Sequence, residues 1–464
     1  MDALQAAPAT DTIVSEVMDD CRPPASHVTK ERILLGALKY RNFRLFFFGQ
    51  SVSLIGTWMQ QVAMIWLVYR LSNSAFLLGL VAFCSQVPSF FLTPVAGVYT
   101  DRWNLRRTIL LTQSLAMVQA MILALLTLTG TVAIWHVIAL SVCLGLVTAF
   151  DIPARQAFLI QMVEGREGLS NAIGLNSSMF NGARLIGPAI AGFLIAVVGE
   201  GVCFLLNGLS YVAVLAALLA MRLPARVSAK PPENVLDELV EGFRYAFGSI
   251  PIREILLLLA LVNMAAMPLT VLLPVFATSV LQGGPDTLGL LTAAMGLGSL
   301  LGALRLASRK NVLGLGRQIA WASAVFGLSL IAFSFSRVLL LSLLLLVGSG
   351  FAVMMETAAS NTILQTIVDD DKRGRVMSFY AMAFLGAAPF GSLLAGSLAS
   401  RLGVARVVQL AGALCIVGSM VFAWRLPALR KVIRPIYRRI GILPDVTSGI
   451  ACEAEVTASK DAEG

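Results

Sequence analysis

Runs of apolar residues long enough to cross a bilayer recur along nearly the whole chain, and they constrain the fold more tightly than any motif. A hydrocarbon core of about 30 Å needs about 20 apolar residues as an α-helix. Twelve runs reach that length, at 43–69, 76–98, 107–128, 133–160, 171–198, 202–221, 255–280, 287–306, 317–335, 338–366, 374–399 and 403–424. So many crossings exclude a soluble enzyme carried by a single anchor. With 57% hydrophobic and 13% charged residues, the chain also lacks the polar surface to cover itself in water. The expected fold class is an all-α membrane protein with twelve transmembrane helices.

A net charge of +9 would suit nucleic acid, but its distribution follows the membrane. Arg70, Arg337, Arg401 and Arg406 fall in turns on one side, Arg184 falls within a run, and all other Lys and Arg collect on the opposite side. The positive-inside rule makes that side cytoplasmic, and an even number of crossings places both termini there. The first 29 residues are polar and acidic, without the basic start and apolar core of a cleaved signal. Beyond the last run, Arg430, Lys431, Arg434, Arg438 and Arg439 are placed to meet anionic lipid.

Cysteine and histidine usage removes several enzyme classes. Cys21, Cys84, Cys143, Cys203, Cys415 and Cys452 show no paired spacing, and most fall in apolar runs where Cys behaves as a small hydrophobe. With only His27 and His136, no histidine metal cluster can be built, and neither a metal nor a cofactor is expected. No G-x-x-x-x-G-K-[ST] stretch is present to hold a nucleotide phosphate. An ion gradient is then the energy source for transport, unless a separate subunit supplies energy.

A polar break from Arg222 to Glu254, containing Pro224, Pro231 and Pro232, divides the runs six and six. Within it Leu236, Leu239, Val240, Phe243 and Phe247 share a helical face, as in an amphipathic helix lying on the cytoplasmic surface. The expected organisation is a disordered cytosolic tail at 1–39, a six-helix bundle at 40–221, a linker at 222–253, a second bundle at 254–424 and a basic cytosolic tail at 425–464. A weak duplication relates the bundles: residues 157–199 resemble 361–403, pairing Gly187 with Gly391, Gly192 with Gly396 and Gly199 with Gly403. Two homologous bundles around a central cavity would rock against each other, opening to one side and then the other.

Between the second and third runs, GVYTDRWNLRR packs one acid and three arginines into a tight turn from Gly97 to Arg107. Charge is costly inside a bilayer, so this turn belongs at the surface. Gly97 would let a helix end approach a neighbouring backbone, Asp101 would accept hydrogen bonds from a helix N-terminus, and Arg102, Arg106 and Arg107 would pair with acids or lipid phosphates. An ordinary positive-inside loop explains the arginines equally well. The turn resembles the G-x-x-x-D-R-x-x-R-[RK] signature of the major facilitator superfamily, found between helices 2 and 3. GARLIGPAIAG, from Gly182 to Gly192 with Gly187 and Pro188 inside it, resembles the helix 5 signature of exporters and antiporters in that superfamily. FDIPARQAFL and GRVMSFY are similar to the bacterial branch that includes the enterobactin exporter and macrolide-efflux proteins.

That resemblance covers roughly residues 38–424. It implies two pseudo-symmetric six-helix bundles and export of a small molecule, a siderophore or a drug-like amphipathic compound, typically against proton entry across the inner membrane. Two departures stand out. Leu105 occupies a place where the family often has Arg, with Arg106 following, and the second-half loop keeps Gly302, Arg305, Arg309 and Lys310 but has no Asp.

Candidate site residues follow from charge and polarity inside the runs. Asp151 and Arg155 are neighbours on a helical face, and Asp151 lies roughly 28 Å from the outer start of its helix, near the cytoplasmic surface. There it would meet Arg102 or Arg106 as an inner gate, or else form an isolated surface ion pair of small worth. Arg184 lies mid-membrane and needs water, an acid or an anionic ligand, unless it bonds backbone carbonyls and locks its helix to a neighbour. Glu356 is the repeat mate of Asp151; a carboxyl taken out of water favours its neutral form, as a proton carrier must. Equally, Glu356 would serve as the second-half gate acid beside Arg305 or Arg309. Gln50, Ser53, Thr57, Gln61 and Met64 form a polar stripe near Trp58 and Trp66, and with Asn181 and Asn263 they are candidates for the substrate cavity; helix-to-helix hydrogen bonding is the other explanation. The expected partners are a small-molecule substrate, protons and the bilayer, with no nucleic acid and a monomeric state. Uptake, or a receptor or assembly factor on a transporter fold, stands as the alternative.

Overall fold

The computed structural model describes residues 36–100, 103–163, 165–221, 244–309, 312–369 and 372–439. Asp101, Arg102, the first 35 residues and most of the expected amphipathic segment lie outside the described residues. Among the described residues, twelve helices are long and apolar enough to cross a membrane. The first six are α1 (Arg41–Ser72), α2 (Ala75–Thr100), α3 (Leu105–Leu128), α4 (Ile134–Gln161), α5 (Gly165–Val198) and α6 (Glu200–Ala220). The second six begin with α7 (Ile250–Val275), which runs into a wide turn at Phe276–Val280, then α8 (Pro285–Ala307), α9 (Leu315–Phe335) and α10 (Leu339–Ile367). Helix α11 joins Arg373–Ala381 to Ala387–Leu402 through a wide turn at Met382–Gly386, and α12 (Val404–Arg439) closes the series.

Two boundaries differ from expectation. Gly36–Lys39 form a short 3₁₀ turn, placed by the Ala37 amide donating to Asn171 Oδ1 of α5 at 2.7 Å, so the tail is tethered at its end. The segment from Arg425 continues α12 to Arg439, because Leu426, Leu429, Ile433, Ile436 and Tyr437 keep helical spacing and pack on the second half.

The packing is duplicated. In the first half α1 packs on α5 and α6, α2 on α4, and α3 on α4 and α6; in the second half α7 packs on α11 and α12, α8 on α10, and α9 on α10 and α12. Every pairing recurs six helices later. Between the halves the main pairings are α5 with α8 and α2 with α11, which the same pseudo-two-fold exchanges. Even the sharp turns repeat: Gly199 and Gly403 close the α5–α6 and α11–α12 connections at φ 83° and 86°, where a side chain would be strained.

The halves touch backbone to backbone at the end remote from the chain termini. A methyl group added to Gly192 of α5 would lie 2.7 Å from Gly289 Cα of α8, and one added to Gly396 of α11 would lie 2.9 Å from Gly79 Cα of α2. At the same far end the Thr278 hydroxyl donates to Tyr69 Oη at 3.2 Å, tying α1 to the wide turn after α7. Toward the end that carries the termini the contacts part. Ser177, on the stripe of α5 that meets α8 higher up, is exposed, as are Ser378 and Met382 of α11. The crevice between the halves is closed at the far end and opens toward the termini.

Overpacking a glycine crossing should force the far end apart. Gly192→Val and Gly396→Val each should cost the closed form about 1–3 kcal/mol, or about 5- to 150-fold in the closed-to-open ratio. In a cysteine-depleted protein carrying Ile65→Cys, an impermeant maleimide added from the far side should then label faster. Equal labelling rates with and without both substitutions would show that these crossings do not hold the far end shut.

Candidate functional site

At the near end, the residues of the charged turn separate into distinct environments. Gly97 lies in the last turn of α2. Asn104 Oδ1 accepts the Arg107 amide at 3.1 Å and caps α3, and Trp103 stacks on Phe150 of α4 with ring centroids 6.0 Å apart. Arg106 donates to the Leu219 carbonyl at the end of α6 at 2.9 Å, whereas Arg107 is exposed.

Asp151 is buried, and its partners come from α3 and from its own helix. Its Oδ1 accepts the Thr112 hydroxyl at 2.8 Å and the Gln113 amide at 2.9 Å, while Oδ2 meets Arg155 Nε at 2.6 Å. Of the two expected pairings of Asp151, the one with Arg106 is not made, and Arg102 lies outside the described residues. Helix α4 continues to Gln161, which leaves Asp151 about three turns short of its end, and Arg106 sits roughly 10 Å nearer the surface than Gln113. Asp151 is thus an internal strut of the first bundle.

Sequence reasoning missed the polar core beside that strut. Asn207 of α6 donates to Gln60 Oε1 of α1 at 2.7 Å, and Gln60 donates to Gln119 Oε1 of α3 at 3.1 Å, all three side chains being buried. The available signal was uncharged polar residues inside apolar runs, Gln113, Gln119 and Asn207 among them. Two helix-linking ion pairs were also missed: Arg70 of α1 with Glu200 of α6 at the far end, at 2.8 Å from Nε, and Arg425 of α12 with Glu254 of α7 at the near end.

Arg184 stands at the middle of the apolar part of α5, Asn171–Val198. It is half-buried, and its guanidinium lies over the Trp58 ring at 5.6 Å from the centroid. Neither an acid nor a backbone carbonyl among the described residues accepts from it, which sets aside the reading of Arg184 as a backbone lock. Its own carbonyl abuts Gly296 of α8, so α1, α5 and α8 meet at this residue. Thr57 and Gln61 are exposed beside Trp58, and Asn181, half-buried, donates to the Ser177 carbonyl at 2.9 Å. A small cavity lined by Trp58, Gln61, Ile65, Thr270, Leu288 and Thr292 continues toward the far end.

Gln50 and Asn263 do not join this space. Both are 3% exposed, and Asn263 donates to the Leu259 carbonyl of its own helix at 2.9 Å. A stripe read from helical spacing has no marker for the depth at which neighbouring helices cover it. The helix 5 signature acts through packing: Gly187 lies against the α1 backbone, where an added methyl would come within 2.9 Å of the Ile55 carbonyl, and Gly391 meets the Met264 carbonyl of α7 at 2.5 Å in the same way. Pro188 is buried within α5, while Gly182 has open space around it.

Glu356 of α10 is completely buried and has no cationic partner among the described residues. It accepts the Ser360 hydroxyl at 3.1 Å and the Thr357 hydroxyl at 3.4 Å. Arg305 is exposed, and Arg309 turns to the Leu313 carbonyl at 2.6 Å and to Gln318, so the alternative reading of Glu356 as an ion-paired gate acid does not hold. The duplication supplies the contrast: one turn beyond the acid, the first half has Arg155 and the second half has Ser360.

Similarity to known proteins agrees with this architecture. The chain is 28% identical to the staphyloferrin A transporter of Staphylococcus aureus over 81% of its length and 94% of that protein. It is 28% identical to the multidrug efflux pump Tap of Mycolicibacterium fortuitum, covering 84% and 96%, and 24% identical to macrolide efflux protein A of Streptococcus pyogenes, covering 82% and 95%. Among solved structures, a bacterial homologue of the iron transporter ferroportin in its inward-facing state superimposes with a TM-score of 0.65 at 16% identity, covering 82% of this chain and 98% of that one. An inward-facing bacterial homologue of the lysosomal transporter Spinster gives 0.63 at 15% identity, covering 86% and 98%. The family described as transmembrane secretion effector, MFS_3, matches residues 34–435. The chain therefore belongs to that family, and its two six-helix bundles are those of a major facilitator transporter rather than of an enzyme.

Proposed function

We propose that this transporter exports a small amphipathic molecule, siderophore-like or drug-like, by alternating access in exchange for protons. The observation that carries the reading is the crevice itself, sealed at the far end by two symmetric glycine crossings and open toward the end rich in Lys and Arg. The positive-inside rule assigns the basic end to the cytoplasm, so both termini lie there and the open crevice is a loading state. Relatives named above carry names of siderophore transport and drug efflux, which supports the substrate class. The protein acts in the plasma membrane, the inner membrane where there are two, as a single chain. Residues 40–221 and 254–424 are the bodies that rock.

Glu356 is the proton carrier on this reading. A buried carboxyl held only by hydroxyls can exist neutral, and ionising it requires access to water that the closed bundle denies. Rocking of the halves provides that access on one side at a time. Asp151, fixed by Arg155, Thr112 and Gln113, serves as scaffold.

Inside-out vesicles given an acidic lumen should accumulate a fluorescent amphipathic dye or a carboxylate chelator above protein-free controls, and a protonophore should abolish the accumulation. Absence of accumulation for probes of both kinds defeats the export reading. Glu356→Gln should leave gradient-free exchange of the same probe intact while ending its dependence on the gradient; coupling that survives in this variant removes Glu356 from the mechanism. For the scaffold, Asp151→Ala should lower the unfolding temperature in detergent sharply, since breaking a buried ion pair costs about 3–5 kcal/mol. Asp151→Asn should be milder, because its carbonyl can still accept from Thr112 and Gln113. Equal melting of the two variants would contradict that account.

A further inference from the structure

The charge inventory of the crevice defines the chemistry of its ligand, and this step rests on the proposed export reading. Arg184 is the charged residue at the midpoint of the crevice, and its guanidinium has no acid among the described residues. The acids of the two halves point elsewhere: Asp151 is spent on Arg155 and α3, and Glu356 is enclosed within the second bundle. The duplication does not require the charge, since the repeat mate of Arg184 is the fully buried Ala388. The guanidinium carbon lies over the Trp58 ring at 5.6 Å from its centroid, a cation–π contact that leaves the N–H groups without an acceptor among the described residues. Phe180 meets the same ring edge to face at 5.6 Å, so an aromatic wall adjoins the cation. Thr57 and Gln61 are exposed beside Trp58, and Asn181 lies one turn from Arg184 on α5.

An unpaired cation in the middle of a membrane is costly, and a ligand that neutralises it recovers that cost. The planar N–H fork matches the two oxygens of a carboxylate in a way that a point charge does not. We infer that the crevice binds organic anions, with Arg184 gripping a carboxylate and the Trp58–Phe180 wall receiving an attached aromatic or apolar body. Neutral or cationic amphiphiles of the same shape leave the guanidinium unpaired and bind less well.

The test is a matched set of probes, 2-naphthoate, 2-naphthamide and 2-naphthylmethylammonium, titrated calorimetrically into the full-length protein in nanodiscs. The naphthoate should bind about tenfold or more tightly than the amide, and the ammonium weakest. Arg184→Gln should erase the difference between naphthoate and amide, while Arg184→Lys should keep part of it. Thermal unfolding of both variants reports on folding, and the ranking of probes in the unaltered protein needs no variant. Equal binding of naphthoate and amide, no binding of naphthoate, or a preference that survives Arg184→Gln each overturn the inference. A protein that exports neutral or cationic dyes in vesicles yet shows no anion preference keeps the export reading and loses this one.

Discussion

In a bilayer, apolar side chains gain little by leaving lipid, so two bundles hold together where their backbones can touch. In this protein that happens where Gly192 meets Gly289 and where Gly79 meets Gly396. Both crossings lie at the far end and are exchanged by the same pseudo-two-fold. A side chain at any of the four positions would separate the helices, which makes the closed end a property of absent atoms. Among the described residues no ion pair joins the halves there, and such a contact can part without stranding a charge in hydrocarbon. The Tyr69 hydroxyl bond to Thr278 adds a polar tie that water can replace once the far end opens.

The sequence alone made the fold legible because length and apolarity dictate helices and because the duplication left matching glycines. Gly187 with Gly391, Gly192 with Gly396 and Gly199 with Gly403 each turn out to do the same work in the two halves, packing within a bundle, packing between bundles and turning the chain. Site chemistry was less legible. Helical spacing assigns Gln50, Thr57 and Gln61 to one face, yet Gln50 is buried while Thr57 and Gln61 are exposed, because spacing carries no marker for where neighbouring helices cover the stripe. At Asp151 spacing gave the helix but not the neighbour its carboxylate faces, which is Thr112 and Gln113 of α3. The hydrogen-bonded trio Gln60, Gln119 and Asn207 was hidden for another reason: partners on three helices share no local pattern.

Arg184 was legible because a membrane leaves few explanations for charge. An Arg at mid-depth must have water, an acid, carbonyls or a ligand, and each of these is visible or missing once neighbours are placed. The structure provides the ring of Trp58, without an acid among the described residues. What periodicity leaves undetermined is that the Arg184 carbonyl also forms the seam with α8 at Gly296. The residue proposed to hold the ligand is thereby built into the joint between the halves, so a ligand on its side chain sits where rocking of one half against the other is transmitted.

The two acids show how duplication can divide labour. Asp151 and Glu356 hold equivalent places, but Arg155 one turn on in the first half is replaced by Ser360 in the second. Asp151 accepts from a guanidinium and two further donors and ties α3 to α4, whereas Glu356 has hydroxyl donors alone. The first bundle therefore has an internal ion pair where the second has a buried acid without a cationic partner among the described residues. On the proposed mechanism that difference assigns the moving proton to the second half and the anchored ligand to the first, across the α5–α8 seam. Coupling between them then requires no direct contact of ligand and proton, only that both bias the same rocking equilibrium.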